Sequence, residues 1–247
     1  MTLRKFNNYD LEGFPPVLAW NPIAMRCDRV DEGCRNCWHL RYCNRAMKNP
    51  LFTEDERAAY RGHCNYAMKP LPRFPKKPSI IAIQFMGDLW NDNIPPRVCH
   101  DVLWESCVRH EQHIYLLLTK RPERVTEVLP DNCWLGTSVH DQASAGLRVP
   151  KLLATKAKHK WLSIEPMLGW VDVWEKDYCG LGKIEWVASG PETGSCARPY
   201  KQKWIDCLAS QTKTDGIPFY DKRDPSAPGF TRREWAREWR EKTGGEK

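Results

Sequence analysis

The chain has 247 residues, a formal net charge of +7 and eleven cysteines. A chain of this length suits one large domain or two small ones, and it can bury a core without help from disulfides. No apolar run approaches the ~18 residues of a membrane span, and the polar start "MTLRKFNNYD" lacks the apolar region of a signal peptide. We therefore expect a cytoplasmic protein with no membrane partner, whose clustered cysteines indicate metal binding or catalysis.

Seven short apolar runs, each followed by polar or glycine-containing residues, predict strands. In chain order they are "PPVLAW" (15–20), "SIIAIQFMGD" (79–88), "HIYLLLTKRP" (113–122), "NCWLGTSVHD" (132–141), "KWLSIEPMLG" (160–169), "IEWVASGPETG" (184–194) and "GIPFYDK" (216–222). Helical patterns cover 96–110, 121–129 and 200–216, the last with Gly216 as a C-cap. Strands that alternate with helices predict an α/β fold with a parallel sheet.

Six or seven such units favour a partial or full (β/α) barrel over residues 1–230. The polar, basic and proline-containing stretch at about 40–78 is predicted to be an insertion after the first strand. Residues 231–247 are predicted to form a charged C-terminal helix and tail, with Trp235 and Trp239 one turn apart.

Polar residues follow the predicted strands, at the end where such barrels place their sites. They are Asp88, Lys120, Arg121, Ser138, Glu165 and Glu192. Asp88 is a candidate ligand contact or a helix N-cap, and Lys120 and Arg121 are candidates to bind an anion. Glu165 ends an apolar strand, where a buried carboxylate needs a cation or a hydrogen-bond donor.

Three cysteines, Cys27, Cys34 and Cys37, follow the first predicted strand with the spacing C-x6-C-x2-C. One interpretation is a structural zinc site completed by His39 or Cys43. A second is a set of redox or incidental thiols, which the absence of a thioredoxin-like pattern disfavours. The third is a [4Fe–4S] cluster with three protein thiolates and one iron open to an external ligand.

The order and spacing of several motifs point to a family. The cysteine loop, "FMGDLW", "LLLTKRPER", "CWLGTSV", "WLSIEPMLG" and "WVASGPETGSCARP" together resemble a phage-associated, radical-SAM-like three-cysteine family, long described only as a domain of unknown function. The resemblance runs from about residue 18 to about residue 222. The chain has Trp38 where members commonly have Tyr, and Gly190-Pro191-Glu192 where they commonly have Gly-Gly-Glu. Its first cysteine gap is six residues, against three in the usual radical-SAM motif.

The resemblance implies a radical-SAM type of barrel with two cofactors. Cys27, Cys34 and Cys37 would hold a [4Fe–4S] cluster, whose open iron binds S-adenosylmethionine and generates a 5′-deoxyadenosyl radical. The residues expected to bind S-adenosylmethionine are Trp38, Asp88, Lys120, Ser138 and Glu165. Those expected to bind the substrate are Arg121, Glu192 and Arg198. An external donor such as flavodoxin or ferredoxin would supply electrons.

The family context further implies an isomerase-type modification of an amino-acid-decorated thymine in phage DNA, in the host cytoplasm if the chain is phage-encoded. The basic charge suits a DNA substrate, whose base would have to be flipped into the barrel mouth. Two alternatives stay open. One is a radical-SAM enzyme acting on a small molecule or a peptide, and the other is a zinc-stabilised nucleic-acid-binding protein without catalysis.

Overall fold

A computed structural model of the chain describes residues 3–6, 9–173 and 184–244. Its strands are β1 (Arg4–Lys5), β2 (Leu18–Trp20), β3 (Ile23–Ala24), β4 (Ala67–Met68), β5 (Ile80–Ile83), β6 (Ile114–Thr119), β7 (Cys133–Val139), β8 (His159–Ile164), β9 (Ile184–Ser189) and β10 (Phe219–Asp221). Its helices are α1 (Trp38–Ala46), α2 (Glu54–Arg61), α3 (Pro96–Leu103), α4 (Gln142–Ala154), α5 (Gln202–Thr214) and α6 (Arg237–Thr243). The fold is therefore mixed α/β.

The main sheet has eight strands in the order β1-β2-β5-β6-β7-β8-β9-β10. From β2 to β10 every neighbouring pair is parallel, and β1 joins antiparallel at the edge. All seven predicted strands are confirmed. The parallel strands follow one another in chain order, so their carboxyl ends lie along the same edge. Between β2 and β5 lie α1, α2 and the small antiparallel pair of β3 and β4.

The two faces of the sheet bury different side chains, because successive residues of a strand point to opposite sides. One face packs against α3, α4 and α5, where Val102, Val149 and Leu208 belong to the same apolar cluster as the aliphatic residues of the strands. The other face carries an aromatic cluster. Its fully buried rings include those of Trp134, Trp161, Trp186, Trp235, Trp239, Tyr9 and Tyr220.

The sheet is strongly curved around Tyr9. The ring of Tyr9 lies 6.3 Å from that of Phe85, just after β5, and 5.6 Å from that of Tyr220 in β10. From β5, which precedes Phe85, to β10, which contains Tyr220, there are five strand spacings. In a flat sheet these would separate the two positions by about 24 Å. One ring can touch both only if the sheet bends, and the aromatic cluster fills its concave side.

Gly136 shows how tightly this concave side is packed. A Cβ atom at this position would lie 2.3 Å from the ring of Trp161 on the neighbouring strand. The indole of Trp161 also donates to the backbone carbonyl of Trp134 at 3.0 Å. The glycine of the "WLG" sequence therefore provides the space that the indole occupies.

The predicted helices differ from the structure at several points. The helix expected at 121–129 is wrong: only a 3₁₀ turn forms, at Pro122–Arg124, because the β-branched residues that follow disfavour a helix. The pattern at 96–110 is α3 followed by a π-helical turn at Trp104–Val108. Helix α4 is not among the predicted helices, although its start is marked by a capping box between Asp141 and Ser144.

The C-terminal segment packs onto the sheet. Helix α6 starts at Arg237, so Trp235 precedes it, and both Trp235 and Trp239 are fully buried in the aromatic cluster. Gly216 follows α5 with a φ of +66°, as expected of a C-cap. Within the described ranges, no helix combines the length and the apolar character that crossing a membrane requires.

Candidate functional site

A cavity of about 420 Å³ opens at the carboxyl ends of the strands, on the concave side of the sheet. This volume lies in the range of small-molecule and cofactor sites. Nearly all of the predicted site residues line it: Cys27, Cys34, Cys37, Trp38, Asp88, Lys120, Arg121, Ser138, Glu165 and Glu192. Of the predicted residues only Arg198 is not part of the lining.

The three predicted ligand cysteines lie together at this cavity. Cys27, Cys34 and Cys37 all line it, and no other cysteine of the described chain does. All ten cysteines of the described residues are free thiols, whereas Cys179 lies outside those residues. Burial, assisted by the nearby carboxylate of Asp88, raises the pKa of Cys27 to about 12. A metal that binds here must therefore displace a proton from the thiol.

The thiols do not converge on one point. Within the described residues, no group of three or more His, Cys, Asp or Glu side chains is placed to hold a single metal ion. His39 and Cys43, the proposed fourth zinc ligands, instead contact each other, with 3.5 Å between Nε2 and Sγ. An iron–sulfur cluster makes a different demand, because each thiolate binds its own iron and the thiolates can be spread around the cluster. Three soft thiol donors around one cavity fit such a cluster.

Asp31 anchors the middle of the segment from Cys27 to Cys37, the cysteine loop. Its carboxylate pairs with Arg148 of α4, with Lys120 after β6 at 3.5 Å, and with His140 after β7 at 3.6 Å. Burial alone would raise the pKa of Asp31, but Lys120, Arg148 and His140 together lower it to about 2. These contacts hold residues 28–33, which separate Cys27 from Cys34, against the ends of β6 and β7.

A second set of contacts joins the cysteine loop to the segment after β9. The amide of Asn36 donates to the carboxylate of Glu192 at 3.0 Å and to the carbonyl of Cys196 at 2.7 Å. Arg198 donates to Glu192 at 2.6 Å and to the carbonyl of Glu32 at 2.9 Å. The hydrogen bonds from Arg198 and Asn36 lower the pKa of Glu192 to about 2. Glu192 and Arg198 thus form an ion pair within the segment after β9, and the contacts of this pair with Asn36 and Glu32 join that segment to the cysteine loop.

Asp88 organises the segments after β5 and β6. Its carboxylate accepts hydrogen bonds from the hydroxyl of Thr119 at 2.8 Å, the backbone N–H of Lys120 at 2.9 Å and the backbone N–H of Trp90 at 3.0 Å. Residues 89–93 form turns, so Asp88 is not the N-cap of a helix. It instead closes a turn and joins two neighbouring strand ends.

Arg121 is buried among three carboxylates. Its guanidinium lies 3.2 Å from Asp92, 3.5 Å from Asp88 and 3.7 Å from Asp28. Asp28 belongs to the cysteine loop, so Arg121 also anchors that loop. The charge of Arg121 is therefore compensated within the protein.

Glu165 contacts both a cation and a hydrogen-bond donor, which a carboxylate at the end of an apolar strand needs. Its carboxylate pairs with the ammonium of Lys222 and accepts a hydrogen bond from the hydroxyl of Tyr9 at 3.1 Å. Burial and the neighbouring Glu165 charge raise the pKa of Tyr9 well above its usual value. This group lies on the wall formed by the ends of β8 and β10.

Two further predicted residues face the cavity and have no strong side-chain partner among the residues that the structure describes. Trp38 is 43% exposed at the start of α1, directly after Cys37. Ser138 is buried at the end of β7, and its backbone carbonyl accepts a hydrogen bond from Arg148 at 3.0 Å. Both side chains are available to a bound molecule.

Sequence reasoning missed five residues that organise the site: Tyr9, Asp31, His140, Arg148 and Lys222. Arg148 lies on α4, which was not predicted, and Tyr9 comes from the segment before the first predicted strand. Asp31 was visible as an acid between two cysteines, and its partners lie far away in the chain. Lys222 ends the last predicted strand, where the rule used for Lys120 would have found it.

The fold and site define a mixed α/β protein with a three-cysteine cavity at the carboxyl ends of its parallel strands. The chain belongs to the family described as a protein of unknown function (DUF5131), whose model matches residues 17–244. The search of curated proteins and the search of solved structures returned no match.

Proposed function

We propose that this protein is a radical S-adenosylmethionine enzyme whose curved sheet is the wall of a partial (β/α) barrel. The barrel is supported by the sequential order of the parallel strands and by the curvature around Tyr9. The observation that carries the proposal is that Cys27, Cys34 and Cys37, and no other described cysteine, line the cavity at the strand ends.

The cysteines would hold a [4Fe–4S] cluster, and S-adenosylmethionine would bind beside it. Together these groups supply the one-electron cleavage of a sulfonium that starts radical chemistry. Reduction would come from a protein such as flavodoxin or ferredoxin. The chain itself holds the cysteine loop in place through Asp31, Arg121 and Asn36. Trp38 and Ser138 face the cavity, where they can contact the cofactor.

Three further predicted residues have two roles at this site: Asp88 positions a neighbouring segment, and Lys120 and Glu165 supply charges. Asp88 positions the backbone of Lys120, whose ammonium also reaches Asp31. Glu165, held by Tyr9 and Lys222, presents a carboxylate to the cavity from the side of β8. Lys120 and Glu165 thus place one cation and one anion where S-adenosylmethionine, which carries a carboxylate, an ammonium and a sulfonium, can use them.

The test is anaerobic reconstitution with iron and sulfide, followed by metal analysis and EPR of the reduced protein with and without S-adenosylmethionine. We expect about four irons per chain, a spectrum that changes with S-adenosylmethionine, and formation of 5′-deoxyadenosine. Cys34→Ser should lose most of the iron. Cys99→Ser is the matched control, because Cys99 is a buried thiol that donates to the carbonyl of Leu89, away from the cavity. A protein with one zinc and an unchanged spectrum would overturn the proposal.

For the substrate, we infer an amino-acid-decorated thymine in DNA, rearranged in an isomerase-type reaction. The volume of the cavity and the net charge of +7 support this inference. Of the three residues predicted to bind the substrate, Glu192 and Arg121 line the cavity, and all three side chains are held in ion pairs, so they would act by shaping the walls against which the substrate lies. Turnover of a free nucleotide, small molecule or peptide, with modified DNA left unchanged, would exclude DNA as the substrate.

A further inference from the structure

One side of α1 carries a row of positive charges that starts at the cavity. Arg41 and Arg45 lie one helical turn apart and are exposed, and the exposed Lys48 follows the end of the helix. Trp38 begins the same side, and both Trp38 and Arg41 line the cavity. We call Arg41, Arg45 and Lys48 the α1 basic face. It runs outward from the rim of the cavity.

The charges of this face are not compensated by carboxylates. Within the described parts of the chain, none of the three residues forms a salt bridge, and α1 contains no acidic residue. Several exposed arginines on other helical segments are paired one turn away: Arg97 with Asp101, Arg109 with Glu105 and Arg237 with Glu241. Like charges one turn apart destabilise a helix slightly, so the stability of α1 does not explain the pattern.

The interior of the cavity is different, because its charges are balanced. Lys222 is paired with Glu165, Arg121 with three aspartates, and Glu192 with Arg198. A polyanion would thus find little excess positive charge inside the cavity. It would find that charge on the rim, along α1.

We propose that the α1 basic face binds the phosphate backbone of a nucleic-acid strand, of which one nucleotide enters the cavity. The inference rests on the proposed DNA substrate and assigns it a surface. An enzyme that acts on one base of a polymer has to hold the flanking units outside the pocket. The C-terminal segment is a poorer surface, because Trp235 and Trp239 are buried and Arg237 is paired with Glu241.

The experiment measures binding of a fluorescein-labelled thymine-containing single strand of about 20 nucleotides, longer than one typical site, by anisotropy at several salt concentrations. It uses the full-length chain before and after reconstitution, so that binding is read independently of catalysis. The test variant is Arg45→Glu/Lys48→Glu. The matched control, Lys156→Glu/Lys213→Glu, makes the same change in net charge at exposed positions. Lys156 precedes β8 and Lys213 lies in the last turn of α5, so both lie at the opposite end of the sheet.

We expect the α1 variant to bind about tenfold or more weakly at low salt, and the slope of log K against log salt to fall by about 1.4, which corresponds to two lost phosphate contacts. The control should bind like the wild type.

Equal binding by both variants and the wild type would overturn the α1 assignment and leave DNA as the substrate. If the α1 variant still bound DNA like the wild type but was no longer reduced by flavodoxin, the α1 basic face would be the binding site of an acidic protein instead. If the wild type bound no DNA, both the surface and the DNA substrate would be wrong, while iron content and EPR would still decide the radical chemistry.

Discussion

Asp31 and Arg148 form an ion pair that joins the middle of the cysteine loop to α4. Lys120 and His140 approach the same carboxylate, so one side chain ties the loop to two strand ends and a helix. Gly33 lies inside this group: a Cβ atom there would come within 3.1 Å of His140 and 3.2 Å of Lys120. The loop is therefore held in place by contacts that need no metal.

The first prediction concerns Asp31→Asn. The change removes the negative charge and leaves Lys120 and Arg148 without their shared partner. Charge-assisted hydrogen bonds of this kind contribute about 2 kcal/mol, so urea unfolding should show a loss of about that size. The same variant should incorporate less iron on reconstitution.

The control for this change is Glu123→Gln. Glu123 pairs with Lys151 at 3.4 Å, and both side chains are about half exposed, so its loss should cost below about 0.5 kcal/mol. If Asp31→Asn were as stable as this control, the carboxylate would not anchor the loop.

The second prediction concerns the pair of Glu165 and Lys222 on the opposite wall. Glu165→Gln leaves a partly buried ammonium without its counter-charge, and Lys222→Met leaves the carboxylate without its cation. In a double-mutant cycle we expect a coupling energy of about 1–3 kcal/mol between the two positions. The exposed pair of Lys158 and Asp131, treated in the same way, should show almost none. Additive effects at Glu165 and Lys222 would mean that the ion pair is unimportant for stability.

The third prediction concerns Gly136→Ala. The new methyl group would overlap the ring of Trp161, and both positions are buried. We expect a loss of about 3 kcal/mol or more, or a failure to fold, because the ring has no free space to move into. Gly216→Ala is the comparison: its Cβ meets no atom, and only its φ of +66° is unfavourable, so it should cost about 1 kcal/mol. Chemical denaturation measures both, and similar values would argue against tight packing around Trp161.

The fourth prediction concerns acid. Burial, with smaller effects from His110 and Lys242, lowers the pKa of His113 to about 4. An unfolded chain protonates this histidine below about pH 6.5, whereas the folded chain does so only near pH 4. The contribution of neutral His113 to the free energy of unfolding is therefore fully present above about pH 6.5. It is lost as the pH falls towards 4, at no more than about 1.4 kcal/mol per pH unit.

His113→Gln isolates this effect. The free energy of unfolding of the wild type minus that of the variant should decrease as the pH drops from 6.5 to 4. A difference that stays constant over this range would show that His113 is protonated as easily in the folded chain as in the unfolded one.

The sequence predicted the sheet well, because each parallel strand is a short apolar run that ends in polar residues. It also identified the cysteine loop and the strand-end residues, since both follow from local spacing. It failed at 121–129, where Pro122 is typical of a helix start but only a 3₁₀ turn forms and the β-branched side chains lower the helix propensity. It also overlooked α4, despite the capping box at Asp141.

The partners of the site residues were harder to predict. Tyr9 meets Glu165 and Asp31 meets Arg148, although 156 and 117 positions separate them in the sequence. Such pairs depend on the curvature and on where each loop crosses the strand ends, which a single sequence does not reveal. The predicted anion-binding role of Arg121 illustrates the limit, because the aspartates around it come from two other segments: Asp28 from the cysteine loop, and Asp88 and Asp92 from the turns after β5.

Tyr9 and Trp239 belong to the same aromatic cluster, although they lie near opposite ends of the chain. The concave side of the sheet is therefore completed only when the last helix is available. Contacts between such distant residues form slowly, and until then a nascent chain exposes Trp134, Trp161 and Trp186 to solvent and to other chains. The aromatic cluster is thus completed only after α6 has been synthesised, and until then these three indoles are exposed apolar surface.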